Sequence, residues 1–374
     1  MSEQRFAELA RNIVDYSLDL QPGENLLIEV TGREEIFTKE LVRAAYARGA
    51  RPFLSLRSTA LQREWLLGVT EEQLGLQAAW ESARMEEMQA YVGLRVKENA
   101  FELAGVPKER MRDYNVLLQE PVHGKIRVPK TKWVVLRYPN ESMAQEARMS
   151  TGDFADFYFA ACNLDYRKMS LAMDPLVELL ERTKEVHIKA PGTDLRFSVE
   201  GIGAVKCDGH RNIPDGEVYT APRKDSAEGF ITYNTPSVWQ GKIFYNVRLR
   251  FERGQIVEAV CDNDSEGLNA VFQTDAGARY VGEFAFGLHP NILHPINDIL
   301  FDEKIAGSIH FTPGSCYESA DNGNKSAIHW DLVTIQRPEY GGGEIYFDGQ
   351  LVRKDGLFVM RELEGLNPQN LLRR

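Results

Sequence analysis

The sequence predicts an α/β N-terminal domain with a mainly parallel sheet, followed by an α+β, mostly antiparallel β-rich C-terminal domain. Three observations predict it. Apolar strand-like runs alternate with helical patterns through the first half. Short β-branched and aromatic runs, parted by Gly, Pro, Asn and Asp turns, fill the second. The chain has 374 residues, 43% of them hydrophobic, which is enough for two ordinary domains that each bury a core.

The elements follow in order. Asn25 to Val30 (NLLIEV) is a short apolar run behind a Pro22-Gly23 turn, then comes the helical pattern EEIFTKELVRAAYARGA, then RPFLSLR from Arg51. Strand, helix and strand within roughly 30 residues is the length of a right-handed βαβ unit. Two more strands are predicted at Gln89 to Val96 and Lys132 to Tyr138, each after a helix-length interval. Thr151 to Arg182 reads as helical, with Phe154, Tyr158 and Cys162 on one face ahead of the amphipathic DPLVELLERTKE.

The texture then changes. Strands are predicted at Glu185 to Lys189, Leu195 to Val199, Phe230 to Tyr233, Ile243 to Phe251 and Gln255 to Val260. The boundary is placed near Arg182 to Lys184, giving domains 1–183 and 184–374. In the tail, Glu344 to Val359, Asp-Gly pairs at Asp348-Gly349 and Asp355-Gly356 mark turns between strands expected to close the sheet. No repeat or low-complexity linker interrupts the chain, which favours packed over tethered domains.

Composition narrows the function. The 44 basic and 55 acidic side chains give a net charge of −11 with no basic run, so no footprint for a phosphate backbone exists and nucleic acid is not an expected partner. The N-terminus, MSEQRFAELARNIVDYSLDL, has no signal-peptide core, and nowhere does the chain run eighteen apolar residues. A membrane partner is not expected either. Cys162, Cys207, Cys261 and Cys316 are widely spaced without a C-x-x-C, which argues against a zinc ribbon and suits a reducing cytoplasm; pairing of two of them in space stays open.

P-loop, H-E-x-x-H and G-x-S-x-G signatures are all missing. Gly201-Ile202-Gly203 lacks the third glycine and following helix of a dinucleotide fingerprint, so a β-turn is expected there. Gly341-Gly342-Gly343 precedes a strand and reads as a loop.

What remains is a set of potential metal ligands in the β-rich half. In SAIHWDLVTI, period-2 alternation points His329 and Asp331 to one face and Trp330 to the other, so imidazole and carboxylate can reach one ion or simply hydrogen-bond each other. Glu217 follows a Pro-Asp-Gly turn at the start of a strand, where it is either a solvated turn residue or a carboxylate aimed into a cleft. Glu283 is the only carboxylate in an apolar stretch after Arg279, and a buried carboxylate needs a cation, a donor or a raised pKa. His310 sits in a similar apolar context, as a core histidine or a ligand, and Tyr317 follows in a polar, glycine-bearing loop. Two glutamates, two histidines and an aspartate are too many for a sulfur-rich structural zinc. They suit two cations sharing a bridging carboxylate, an arrangement that activates a water for attack on a carbonyl or phosphoryl centre.

Taken together, NIPDGEVYTAP around Glu217, Gly282-Glu283, FDEKIAGSIHFTPG around His310, Tyr317, and SAIHWD ending in Asp331 resemble the thermophilic-type metallo-aminopeptidases, the aminopeptidase T and aminopeptidase S group, over nearly the whole chain. The resemblance implies a β-rich C-terminal catalytic domain and a homodimer with active sites facing an internal cavity. It also implies release of N-terminal residues from short peptides by two divalent ions per chain, zinc or cobalt first, with manganese or magnesium as further options. Residue by residue it makes Glu217, Glu283, His310, His329 and Asp331 metal ligands, with Glu283 as bridge and catalytic group. Tyr317 becomes a catalytic donor to the tetrahedral oxyanion. Glu303 is carried over as a ligand too, although its interval to His310 is longer than the family pattern, which leaves direct and outer-sphere roles open.

Two rival readings use the same motifs. They are also similar to those of a dihydroxypyridine ring-cleaving dioxygenase, whose mononuclear iron His310, His329 and Asp331 alone would satisfy. A non-catalytic binding protein on the same scaffold is the other. Glu217 and Glu283 favour two metals and hydrolysis.

Overall fold

The computed structural model describes residues 3–99 and 101–373. The chain divides into two compact units, Met1–Leu164 with Gly209–Pro214, and Asp165–Asp208 with Asp215–Arg374.

The first unit is built on a parallel sheet. Strands β1 (Asn25–Thr31), β2 (Arg51–Arg57), β3 (Ala90–Arg95) and β4 (Lys132–Arg137) lie in the order β2-β1-β3-β4, and the short strand Asn212–Ile213 pairs in parallel beside β4 as the edge strand. β1 and β3 are buried almost end to end, as expected of central parallel strands covered on both faces. The predicted helix after β1 is Ile36–Ala47 and buries Phe37, Leu41 and Ala45, four residues apart. Helices Thr59–Gly68 and Glu71–Glu86 begin at Ser58 and Thr70, whose side chains accept from the amides of Leu61 and Gln73. Leu27, Leu66, Leu74, Met85, Tyr91, Leu118 and Val122 share one core cluster.

One charge is buried in this sheet. Glu29, in the middle of β1, receives Tyr91 Oη at 3.0 Å and pairs with Arg57 Nε at 3.0 Å and Arg95 Nη1 at 3.2 Å. Burial alone would raise its pKa; the two guanidiniums outweigh that and hold it below the usual glutamate range. Beside it, His123 Nδ1 accepts from Arg127 Nε at 3.1 Å, and burial pushes its pKa down to about 4.

The second unit carries the β-rich half. Its larger sheet has eight strands, in the order Gln255–Val260, Arg248–Glu252, Glu228–Thr232, Thr193–Ser198, Glu185–Ala190, Glu344–Phe347, Gln350–Lys354 and Leu357–Phe358, paired antiparallel throughout. The tail does add its strands to this sheet, and Asp348, Gly349, Asp355 and Gly356 all take positive φ, as two-residue hairpin turns of this hand require. The expected strand Ile243 to Phe251 is two. Lys242–Phe244 pairs with Ser237–Trp239 in a hairpin of its own, and Asn246, at φ 49°, turns the chain before Arg248–Glu252.

The expected helical run Thr151 to Arg182 is also two, Thr151–Cys162 and Tyr166–Arg182, parted where Asp165 caps the second through the Lys168 amide. Tyr166–Arg182 groups with the second unit, so the structural division falls after Leu164 where the sequence placed it near Arg182. Tyr166 Oη accepts from the Asp215 amide, and Ser170 and Asp174 bond to Asp208 and Lys206. Gly201 lies in a turn closed by Ile202 N to Val199 O, and Gly341-Gly342-Gly343 is a loop, both as expected. All four cysteines are free. No helix of the described residues is long and apolar enough to cross a membrane.

The smaller sheet of the second unit holds the residues of interest. Its strands are β5 (Val205–Cys207), β6 (Glu217–Thr220), β7 (Val281–Gly287), β8 (Ser308–Pro313) and β9 (Val333–Ile335), in the order β9-β8-β7-β6-β5, all antiparallel.

A pH dependence follows from His123. Its folded pKa of about 4 lies below the unfolded value of 6.5, so only the unfolded chain takes up this proton between those values and stability falls as pH drops from 6.5 toward 4. His123→Gln is expected to lose less stability between pH 7 and pH 4.5 than the parent in urea unfolding. Equal losses would show that His123 does not contribute.

Candidate metal centre

Alternation along three buried strands creates the site. In the ladder, Ala285 of β7 faces Tyr219 of β6 and His310 of β8, Gly287 faces Glu217, and Glu283 faces Thr312. Paired residues share a face and so do residues two apart, which puts Glu217, Glu283, His310 and Thr312 on one side of the sheet. Val218, Phe284, Phe286, Ile309 and Phe311 fall on the other. There Phe284 and Phe311 pack on Phe197, and Phe286 on Phe347 and Phe358, residues of the larger sheet and its tail. One face is an aromatic core and the other is ionic.

The extended segment leading to β9 completes the set. His329 bridges to Gly314, but the regular strand begins only at Val333, later than the sequence suggested. The alternation itself is as expected. His329 Nε2 and Asp331 Oδ1 lie 3.2 Å apart, while Trp330 turns the other way onto Trp239, Phe244 and Phe272.

Glu283 is central. Its Oε1 is 3.0 Å from His310 Nε2, and its Oε2 is 3.3 Å from His329 Nε2. Glu217 Oε2 approaches the same His310 nitrogen at 3.5 Å. His329 Nδ1 donates to Ser315 O at 2.8 Å, which fixes the ring and directs Nε2 at the carboxylates. Asp331 Oδ1 accepts from Thr312 Oγ1 at 2.9 Å. Tyr317, half exposed, sets its ring 4.7 Å from that of His329 and tilted against it by 52°.

Sequence reasoning missed Lys304. Its ammonium is completely buried, 2.8 Å from Glu217 Oε1, 2.5 Å from Glu303 Oε1 and 3.6 Å from Asp215 Oδ1. Glu303 therefore turns to Lys304, and among the described residues it belongs to none of the three-residue groups able to hold an ion. The signal was present: Lys304 is the one cation in FDEKIAGSI, the same logic that singled out Glu283. Gly287 lets this segment approach, since a Cβ there would run into Ile305 O and Ser308 Oγ.

The electrostatics are those of a cation site. Five carboxylates (Asp215, Glu217, Glu283, Glu303 and Asp331) gather in a largely buried cluster, three of them, Asp215, Glu217 and Glu303, around the ammonium of Lys304. Burial would lower the pKa of both imidazoles, but the carboxylates overcome it: Glu283 and Glu217 push His310 up to about 9, and Asp331 and Glu283 push His329 up to about 12. Burial and the neighbouring carboxylates drive Glu303 well above the usual range, against the pull of Lys304. Glu217 Oε2 and Glu283 Oε2 are buried without a hydrogen bond. Two groups of ligand atoms, each lying within 4.8 Å of one another, are Glu217, Glu283 and His310, and Glu283, His329 and Asp331. They share Glu283, and carboxylate and imidazole donors fit borderline divalent ions. Cys207, Asp215 and Glu217 form a third group, whose two carboxylates already face Lys304.

The donor set on the ionic sheet face fits a metal-dependent hydrolase. The chain belongs to the thermophilic metalloprotease (M29) family, whose model matches residues 2–346. It is similar to Aminopeptidase T of Thermus thermophilus, 26% identical over 393 aligned positions that cover 92% of this chain and 95% of that one. The solved structure of wild-type AmpT from Thermus thermophilus superposes with a TM-score of 0.78 at 24% identity, covering 96% of this chain and 99% of that one. The 2,5-dihydroxypyridine dioxygenase from Pseudomonas putida KT2440 shares the fold at a TM-score of 0.62 and 15% identity, over 97% and 99% of the two chains. The family resemblance and fold class read from the motifs thus hold.

Gly287→Ala tests the close approach. Overpacking of this kind costs about 1–3 kcal/mol, so a fall in melting temperature is expected, and an unchanged midpoint would show that the segment of Lys304 yields freely.

Proposed function

We propose that the chain removes the N-terminal residue from short peptides, using two divalent ions, zinc or cobalt, held on the two sides of Glu283. The carrying observation is Glu283 itself, whose two oxygens each face a different imidazole, His310 and His329. Glu217 would complete one side and Asp331 the other. Membership of a metalloprotease family and likeness to proteins named aminopeptidases support this reading. The homodimer implied by the resemblance and a cytoplasmic location belong to the same proposal.

When bound, the ions would supply Lewis acidity and a water acidified to near neutrality. The remaining work falls to side chains. Ser315 and Thr312 hold His329 and Asp331 in place by the hydrogen bonds described. Desolvation and the nearby carboxylates, Glu283 and Asp331 first, raise the pKa of the Tyr317 hydroxyl, which can donate its proton in a hydrogen bond to the oxyanion developing on the scissile carbonyl. A carboxylate of the cluster would take a proton from the attacking water and pass it to the leaving amine. The surplus of negative charge attracts the substrate's α-ammonium, so a free N-terminus is expected to be required.

A second reading draws on the dioxygenase fold. His310, His329 and Asp331 match a two-histidine, one-carboxylate iron site. Glu283 stands between the two imidazoles, and Glu217 beside His310, where such a site needs neither. Hydrolysis is therefore favoured.

Elemental analysis of protein purified without chelator, paired with amino-acid release from free and N-acetylated peptides, tests the proposal. Close to two divalent ions and cleavage of free N-termini only are expected. One iron with oxygen uptake and no cleavage would establish the dioxygenase instead, and no turnover with any metal a binding protein. Glu283→Gln is expected to abolish turnover with an unchanged far-UV spectrum; wild-type activity at equal metal occupancy would remove the bridging role. Tyr317→Phe is expected to lower kcat more than it alters KM, whereas a change confined to KM would make Tyr317 a binding residue.

A further inference from the structure

We infer that Lys304 is a positioning residue for the Glu217 side of the centre: its buried ammonium takes one oxygen of Glu217 and the carboxylate of Glu303, leaving Glu217 a single-oxygen ligand and holding Glu303 out of the coordination sphere. This rests on the dinuclear reading above.

The geometry divides Glu217 in two. Oε1 is 2.8 Å from Lys304 Nζ, while Oε2 is buried, carries no hydrogen bond and points toward the nitrogen of His310 that also faces Glu283. A carboxylate with one oxygen on a fixed ammonium can offer only the other to an ion, in one orientation. Glu303 is held in the same grip, its Oε1 on Nζ at 2.5 Å. Asp215 completes the cage at 3.6 Å and is itself fixed by its neighbours, accepting from the Gly216 amide at 3.1 Å. Among the described residues no ammonium lies within ion-pair distance of the other side, where His329 and Asp331 are held by Ser315 and Thr312.

Removing the ammonium would leave three carboxylates facing one another in a dry site. Without the ammonium that fixes Oε1, Glu217 loses its anchor and is pushed from Glu303 and Asp215, so it ceases to be a well-placed single-oxygen ligand. Loss of an outer partner of this kind lowers metal affinity by about 10–100-fold. Because Lys304 touches only one side, the loss is selective.

The test is Co²⁺ titration of the chelator-stripped full-length protein, followed by visible absorption and calorimetry. His329→Ala leaves the Glu217 side as the stronger site, and His310→Ala leaves the Asp331 side. Adding Lys304→Met is expected to raise the Co²⁺ dissociation constant about 10–100-fold in the first background and to leave it within twofold in the second. Equal weakening in both, no change in either, or tighter binding in the first would overturn the assignment. Glu303→Gln provides a check that does not depend on Lys304→Met folding: the amide oxygen still accepts from the ammonium, so two Co²⁺ should bind as in the parent. Loss of one ion there would make Glu303 a ligand and overturn the proposal. A parent protein that binds no Co²⁺ at either side would instead bring down the dinuclear reading, and this assignment with it.

Discussion

The constraint on which the second unit depends is the concentration of negative charge on one face of a buried sheet. Several ionised carboxylates removed from water are tolerable only if cations come with them. Lys304 supplies one, and the raised imidazoles supply part of the rest, but the residues present remain net negative.

The contrast with the first unit is instructive. Glu29 is as deeply buried as Glu283 and, like it, is held below the usual glutamate range, here by Arg57, Arg95 and a hydrogen bond from Tyr91. That is a closed structural network, with no need of an ion. Around Glu283 the positive partners are histidines, which can give up a proton to become ligands, while Arg57 and Arg95 cannot. The same physical problem is solved with permanent cations in one sheet and with exchangeable ones in the other.

Precision at the centre comes from the opposite face. Phe284, Phe286 and Phe311 anchor β7 and β8 on the larger sheet, and the C-terminal hairpins contribute Phe347 and Phe358 to that packing. Sites borne on packed strands hold their geometry better than sites on loops. Loops bring the rest: Tyr317, and the segment of Glu303 and Lys304, the latter admitted by the missing side chain of Gly287.

By itself the sequence determined the local periodicities and, through its motifs, the family. The apolar runs of β1 to β4, the Asp-Gly turns of the tail and the shared face of His329 and Asp331 were all legible, because each depends on residues within a few positions of one another. The anomalous placement of Glu283 and His310 in apolar stretches was legible for a related reason, since a charge in a hydrophobic run is costly wherever the run packs. Register was not legible. That Glu283 lies between His310 and His329, that Lys304 closes on Glu217 and Glu303, and that Tyr166–Arg182 groups with the second unit depend on pairings between residues far apart in the chain. Such pairings are settled by the packing of whole strands and helices, which no short window of sequence contains.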